Sequence, residues 1–102
     1  MTISLPASNS FDTLDLSVPA RENLRRLGYL EMTAIQAASL PTALQGRDVI
    51  AQAKTGSGKT AAFALVLLAR LDVRRFAVQA LVLCPTRELA DQVTTEIRRL
   101  AR

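Results

Sequence analysis

Residues 48–68 read DVIAQAKTGSGKTAAFALVLL. A short apolar run, Val49 to Ala51, leads into a Gly-rich turn that ends in Gly58-Lys59-Thr60, and an apolar, helix-forming run follows at once. Strand, loop and helix in that order turn a short Gly-Lys-Thr match into a phosphate site. The loop's backbone N–H groups would curl around phosphates, and the following helix would add the positive end of its dipole. The small residues Gly56, Ser57 and Gly58 let the backbone approach a ligand closely. Lys59 would reach the β/γ-phosphates, and the Thr60 hydroxyl would ligate Mg²⁺. The first position of the motif is Ala53 where the general pattern has Gly, so the loop is a variant. The competing reading is a Gly/Ser turn before a core helix.

Length bounds what can surround this loop. A chain of 102 residues is at most one small domain. P-loop domains are α/β, with several parallel strands between layers of helices. Only two good strand candidates are visible, residues 49–52 before the loop and residues 80–84 in QALVLCP. The chain stops inside a helical pattern, RELADQVTTEIRRLAR, and is expected to be a truncated part of a larger fold.

Composition is that of a globular protein, with 49% apolar residues. The longest apolar run, Ala61 to Ala69, is too short to span a bilayer. The opening MTISLPASNS lacks a basic segment and a long apolar segment, so no secretory signal is expected, and residues 1–10 read as a mobile tail. The single cysteine, Cys84, excludes an internal disulfide and reads as a buried structural thiol. These features favour the cytoplasm and no membrane partner.

The net charge is +4, and both lysines, Lys54 and Lys59, lie in the phosphate loop. Arg98, Arg99 and Arg102 cluster at the C-terminus. They read either as a solvated helix end or as a phosphate-contacting patch.

Periodicity gives the remaining organisation. Ser17 can cap a helix starting near Pro19, with Leu24 and Leu27 on its apolar stripe and Gly28 at its end. A second helix is expected after Thr33, bent or interrupted near Pro41. The loop's own helix should run over about 58–71. A last helix should begin near Arg87, with Leu89, Val93, Ile97 and Leu100 recurring at helical spacing to face a sheet.

Three short motifs then stand in fixed order. The first is GYLEMTAIQ at residues 28–36, with Phe11 seventeen residues before its Gly. The second is AKTGSGKT, comprising Ala53, Lys54, Thr55, Gly56, Ser57, Gly58, Lys59 and Thr60. The third is PTRELA, beginning Pro85-Thr86-Arg87. The set resembles the DEAD-box family of ATP-dependent RNA helicases, with an adenine-reading Q motif, motif I and motif Ia. The Ala53 variant is what that family's AxTGSGKT pattern has. The resemblance covers the chain from Phe11 onward, and QAKTGSGKTAAF with QALVLCPTRELADQV looks most like the family's bacterial DbpA branch. One departure is Met32, where the family's Q motif usually has Pro.

The resemblance implies roles for individual residues. Gln36 would pair with the adenine N6 amine and N7 through its amide, which can accept and donate at once. Without the Q motif it reads as a polar helix-surface residue. Phe11 would stack on the adenine face, or else anchor the tail in the core. The Tyr29 backbone carbonyl would take the other N6 proton, and Thr33 would cap its helix and support the P-loop. Pro85, Thr86 and Arg87 would touch the RNA sugar–phosphate backbone without reading sequence. On charge alone, Arg87 and Glu88 read as ordinary helix N-terminal residues.

The implied fold is part of a RecA-like P-loop domain, a parallel sheet with flanking helices. The implied cofactors are ATP and Mg²⁺. The implied partner is RNA, with ribosomal RNA or pre-ribosomal particles as candidates from the branch resemblance. The acidic motif that gives the family its name, the arginine fingers and the second domain are absent from these residues. ATP hydrolysis and duplex unwinding are therefore expected of a longer parent and not of the 102 residues alone. Two alternatives stand beside this reading: a different P-loop NTPase, or a non-catalytic fragment with residual nucleotide or RNA binding.

Overall fold

A computed structural model describes residues 9–54 and 56–101. Residues 1–8, Thr55 and Arg102 lie outside the described residues, and with them most of the expected tail and one residue of the phosphate loop.

The N-terminal segment is fastened before the first helix begins. Asn9 accepts from the Met32 amide at 2.7 Å, and Ser10 forms an antiparallel bridge with Glu31. Both Asn9 and Ser10 were expected in the tail, yet they are tied to residues 31–32. A proline at position 32 could not donate this bond, so the departure from the family pattern supplies a donor here. A 3-10 turn, Phe11–Thr13, follows, with the Ser10 hydroxyl accepting from the Asp12 amide.

Helix α1, Val18–Arg26, starts where the sequence places it. The Ser17 hydroxyl accepts from the Ala20 amide at 3.3 Å, and Pro19 sits in the first turn, where its missing N–H costs nothing. Helix α2 is Ala34–Leu44 and is opened by a capping box. The Thr33 hydroxyl accepts from the Gln36 amide at 3.4 Å, while the Gln36 side chain accepts from the Thr33 amide at 2.9 Å. The expected interruption at Pro41 does not occur, since α2 continues through it to Leu44. Pro41 removes a single intrahelical donor. Burial of Ser39 and Leu40 immediately before it, on the face against the next helix, holds the element together.

Helix α3, Lys59–Arg70, carries the loop's apolar run, and helix α4 is Arg87–Ala101. Helix α3 packs against both α2 and α4, and α1 packs against α4. The core is one cluster of Phe11, Leu14, Leu16, Leu24, Leu40, Ala61, Ala62, Ala64, Leu65 and Leu100. Burying a Leu side chain of this kind stabilises the fold by about 1.5–3 kcal/mol. The alanines of α3 allow the neighbouring helices to approach. A buried amide fixes the end of α4: Asn23 Nδ2 donates to the Leu100 carbonyl at 2.7 Å.

The expected sheet is not formed among the described residues, whose only β pairing is the bridge between Ser10 and Glu31. Residues 49–52 and 80–84 have apolar strand composition but no ladder partners. Ile50 is 97% exposed and Leu83 is 84% exposed. The physical reason is that a strand gains its stability from neighbours on its edges, and these two segments do not serve each other. Val82 and Cys84 instead line an open apolar groove of about 490 Å³, with Leu67 and Leu71 from the α3 side and Val93 and Ile97 from α4. Of the α4 stripe, Val93 and Ile97 face this groove, Leu100 packs in the core and Leu89 stays exposed. Among the described residues, no helix is long and apolar enough to cross a membrane.

Candidate nucleotide site

Two sequence-distant segments meet at the start of α3. The capping box at the head of α2 holds the Gln36 side chain inward, where the residue is 2% exposed. Its Nε2 then donates to the Gly58 carbonyl at 3.1 Å. That carbonyl also accepts the Ala62 amide at 3.1 Å, the first i+4 bond of α3. The expected base-reading residue and the phosphate loop are thus joined directly by one amide.

Gly58 is the N-cap of α3 and lies in the left-handed region at φ 92°. A Cβ at Gly58 would stand 2.5 Å from Gln36 Nε2 and 3.0 Å from Thr33 Oγ1. Only glycine fits both the backbone angle and the space. A glycine cap also brings no side-chain hydrogen bond to the first-turn amides of α3. The open end of the helix, with its positive dipole and Lys59 at its first position, suits an anion. Gly56 has a second positive φ, 85°, and no atom stands near the place its Cβ would take.

Beside this link lies a hollow of about 420 Å³. Thr33, Ala34, Ile35 and Ala38 line it from α2, and Gln52, Ala53 and Ser57 line it from the loop. Its walls are mostly small and apolar, and neither Gln36 nor Tyr29 lines it. The Ser57 hydroxyl is buried without a hydrogen-bond partner in the protein. Such a group costs stability unless a ligand or water satisfies it. The glycine-capped helix end, Lys59 and the unpartnered Ser57 hydroxyl therefore suit a phosphorylated ligand.

The remaining expected residues fall into three places. Lys54 and Gly56 are exposed on the loop, and Ala53, Ser57, Lys59 and Thr60 are half-buried. Phe11 is 2% exposed, with its ring at 5.9 Å and 85° to the Tyr29 ring, an edge-to-face arrangement inside the core. Pro85, Thr86 and Arg87 are all exposed at the head of α4, and the Thr86 hydroxyl caps that helix by accepting from the Leu89 amide at 3.1 Å.

No contiguous motif announces what holds Tyr29. Its hydroxyl donates to Glu96 Oε1 at 2.7 Å and accepts from Arg99 Nη2 at 2.6 Å. The Arg99 guanidinium also lies 5.4 Å from the ring centroid and 3.4 Å from the Glu96 carboxylate. Burial, and then the hydrogen bond to Glu96, raise the phenol's pKa above its ordinary value, with Arg99 pulling the other way. The Arg99 pKa is raised in turn, chiefly by its charge interaction with Tyr29 and then by Glu96. The i,i+3 spacing of Glu96 and Arg99 on a helix was the only available hint.

Comparison with known proteins identifies the family. A family profile described as DEAD/DEAH box helicase matches residues 33–102. The ATP-dependent RNA helicase DbpA of Escherichia coli is 64% identical over 94 residues, covering 91% of this chain and 21% of the relative. Among solved structures, a DEAD box protein from Methanococcus jannaschii superposes with a TM-score of 0.84 at 40% identity, covering 90% of this chain and 25% of that one. Dbp5 of Saccharomyces cerevisiae, solved with RNA and ADP BeF3, gives a TM-score of 0.86 at 34% identity, covering 92% of this chain and 25% of that one. The chain thus spans about a fifth to a quarter of the length of the relatives it matches. The profile match spans the capping box, the glycine-capped helix and the PTRELA segment, and on that ground the chain belongs to the DEAD/DEAH box helicase family.

Proposed function

We propose that this chain forms the ATP-binding part of an ATP-dependent RNA helicase, in which ATP binding and hydrolysis by the whole protein remodel short RNA duplexes. The observation that supports the reading is the Gln36–Gly58 bond, because it joins the residue proposed to read the base to the phosphate loop. Gln36 and the Tyr29 carbonyl serve the base, while Phe11, buried edge-on against Tyr29, anchors the N-terminal segment to the core instead of stacking on the base. Ala53, Lys54, Thr55, Gly56, Ser57 and Gly58 enclose the phosphates, mainly through backbone amides. Lys59 neutralises the β/γ-phosphates, and Thr60 holds the Mg²⁺ that screens their charge. Thr33 supports Gly58 from below. The buried Ser57 hydroxyl gains a partner when the loop is filled.

Pro85, Thr86 and Arg87 contact the RNA backbone, where positive charge and the helix N-terminus attract phosphate irrespective of sequence. In the whole protein, residues 49–52 and 80–84 become strands of a RecA-like parallel sheet, which covers the side chains left bare at Ile50 and Leu83. The resemblance to a DbpA relative makes ribosomal RNA the RNA class of first choice, in a cytoplasmic setting. The test is ATP hydrolysis by the whole protein with and without RNA. Stimulation by RNA is the expected result. RNA-independent hydrolysis, or none with either, contradicts the reading.

A further inference from the structure

One residue has its two ends in two different places. In the reading above, the Tyr29 backbone faces the base, while its side chain reaches across to α4. Glu96 and Arg99, the groups that hold it, sit on the same helix whose first residue is Arg87. An α-helix of this length is a stiff rod of roughly 22 Å, so a shift at one end is delivered to the other. A second tie, from Asn23 to the Leu100 carbonyl, fixes the same end of α4 to α1.

The phenol hydroxyl is not needed for packing. Phe11 meets the ring of Tyr29 and not its oxygen, and a phenylalanine at position 29 would keep that edge-to-face contact. The Glu96–Arg99 pair is part-exposed, and such pairs contribute little static stability. What the three groups do supply is direction: one donor, one acceptor and one cation over the ring fix where Tyr29 stands relative to α4.

We propose that Tyr29, Glu96 and Arg99 are positioning residues that couple occupancy of the nucleotide segment 28–36 to the RNA-contacting head of α4. The inference rests on the function proposed above. Filling the base pocket reorients the backbone at Tyr29, the hydroxyl draws Glu96 with it, and α4 pivots about the end that Asn23 holds at Leu100, which displaces Thr86 and Arg87.

The test uses the whole protein and a labelled single-stranded RNA oligonucleotide. Its Kd is measured by anisotropy without nucleotide and with a non-hydrolysable ATP analogue. The ratio of the two values is the coupling factor, commonly about 5–150 in coupled systems. Glu96→Ala should lower that factor about fivefold or more, close to the lower limit of such couplings. Its nucleotide-free RNA affinity and its thermal midpoint should stay close to those of the unaltered protein. Glu96→Gln keeps a carbonyl acceptor for the hydroxyl and should restore most of the factor. Tyr29→Phe should lose as much as Glu96→Ala, and the double variant no more than either. An unchanged factor in Glu96→Ala overturns the proposal, as does a Gln variant no better than Ala. So does a loss that appears equally in nucleotide-free RNA binding. If RNA affinity in the unaltered protein ignores the analogue altogether, the functional reading itself fails, and the coupling falls with it.

Discussion

Gln36 Nε2 donates to the Gly58 carbonyl at 3.1 Å, and the same carbonyl takes the first backbone bond of α3. The helix that carries Lys59 is therefore seeded against the residue expected to read the base. Gly58→Ala should disturb this most. The substitution meets a positive φ, which costs an L-residue about 1–2 kcal/mol, and adds a Cβ 2.5 Å from Gln36 Nε2. Gly56→Ala meets a similar φ with open space around it. Thermal unfolding of the whole protein should show a larger loss for the Gly58 variant, accompanied by weakened nucleotide binding. Equal losses would mean that the contact with Gln36 is not limiting.

The two lysines of the loop should differ sharply. Lys59 is the first residue of α3 and is half-buried, whereas Lys54 is exposed on the outer part of the loop. Lys59→Ala removes the cation proposed for the β/γ-phosphates and should abolish ATP hydrolysis by the whole protein. Lys54→Ala leaves the backbone amides in place and should cost far less. Steady-state hydrolysis rates check this, and equal damage would refute the assignment of roles.

Tyr29 supplies a pH prediction. Its pKa is raised first by burial and then by Glu96, while Arg99 lowers it. A group raised in the folded state contributes stability that is fully present below its unfolded value, about 10 for a phenol, and lost as pH rises through the folded value. Stability from this site should therefore be flat across neutral pH and fall only in alkali. Glu96→Gln should lower the midpoint of the phenol titration and Arg99→Met should raise it. Isotope-labelled tyrosine NMR, with the Tyr29 resonance assigned by Tyr29→Phe, reads both shifts. Shifts of the same sign in the two variants would contradict the network.

What was legible in the sequence was local. Ser17, Thr33 and Gly58 announce helix starts because a cap is a short-range interaction between neighbours in the chain. The phosphate loop was legible for the same reason: its glycines and Lys59 form one contiguous pattern. Pro41 misled, because a missing donor is a local penalty that packing of α2 on α3 outweighs. The strand candidates at 49–52 and 80–84 were read from composition, but a ladder needs partners that composition does not supply. The bond of Tyr29 to Glu96 joins residues 67 apart, and no periodicity reports it. Where each candidate residue falls on the chain was visible beforehand; that Gln36 reaches the Gly58 carbonyl was not.

The exposed strand candidates carry a prediction about the 102 residues by themselves. Ile50, Leu81 and Leu83 lie bare, and the groove between α3 and α4 is open. Whole domains are stable by only about 5–15 kcal/mol, and uncovered apolar segments of this kind promote association. Circular dichroism of the isolated chain should show helix but a broad melt with little response to Mg·ATP. A sharp transition stabilised by Mg·ATP would show that the four helices and the loop suffice.

In the proposed function, Gln36 makes this phosphate loop an adenine site. The most direct test is equilibrium binding of ATP and GTP to the whole protein, unaltered and as Gln36→Ala. The unaltered protein should bind ATP far more tightly than GTP. The variant should lose affinity for ATP by the worth of one or two hydrogen bonds, about 0.5–1.5 kcal/mol each, and much of its discrimination with it. Equal binding of ATP and GTP by the unaltered protein would contradict the account.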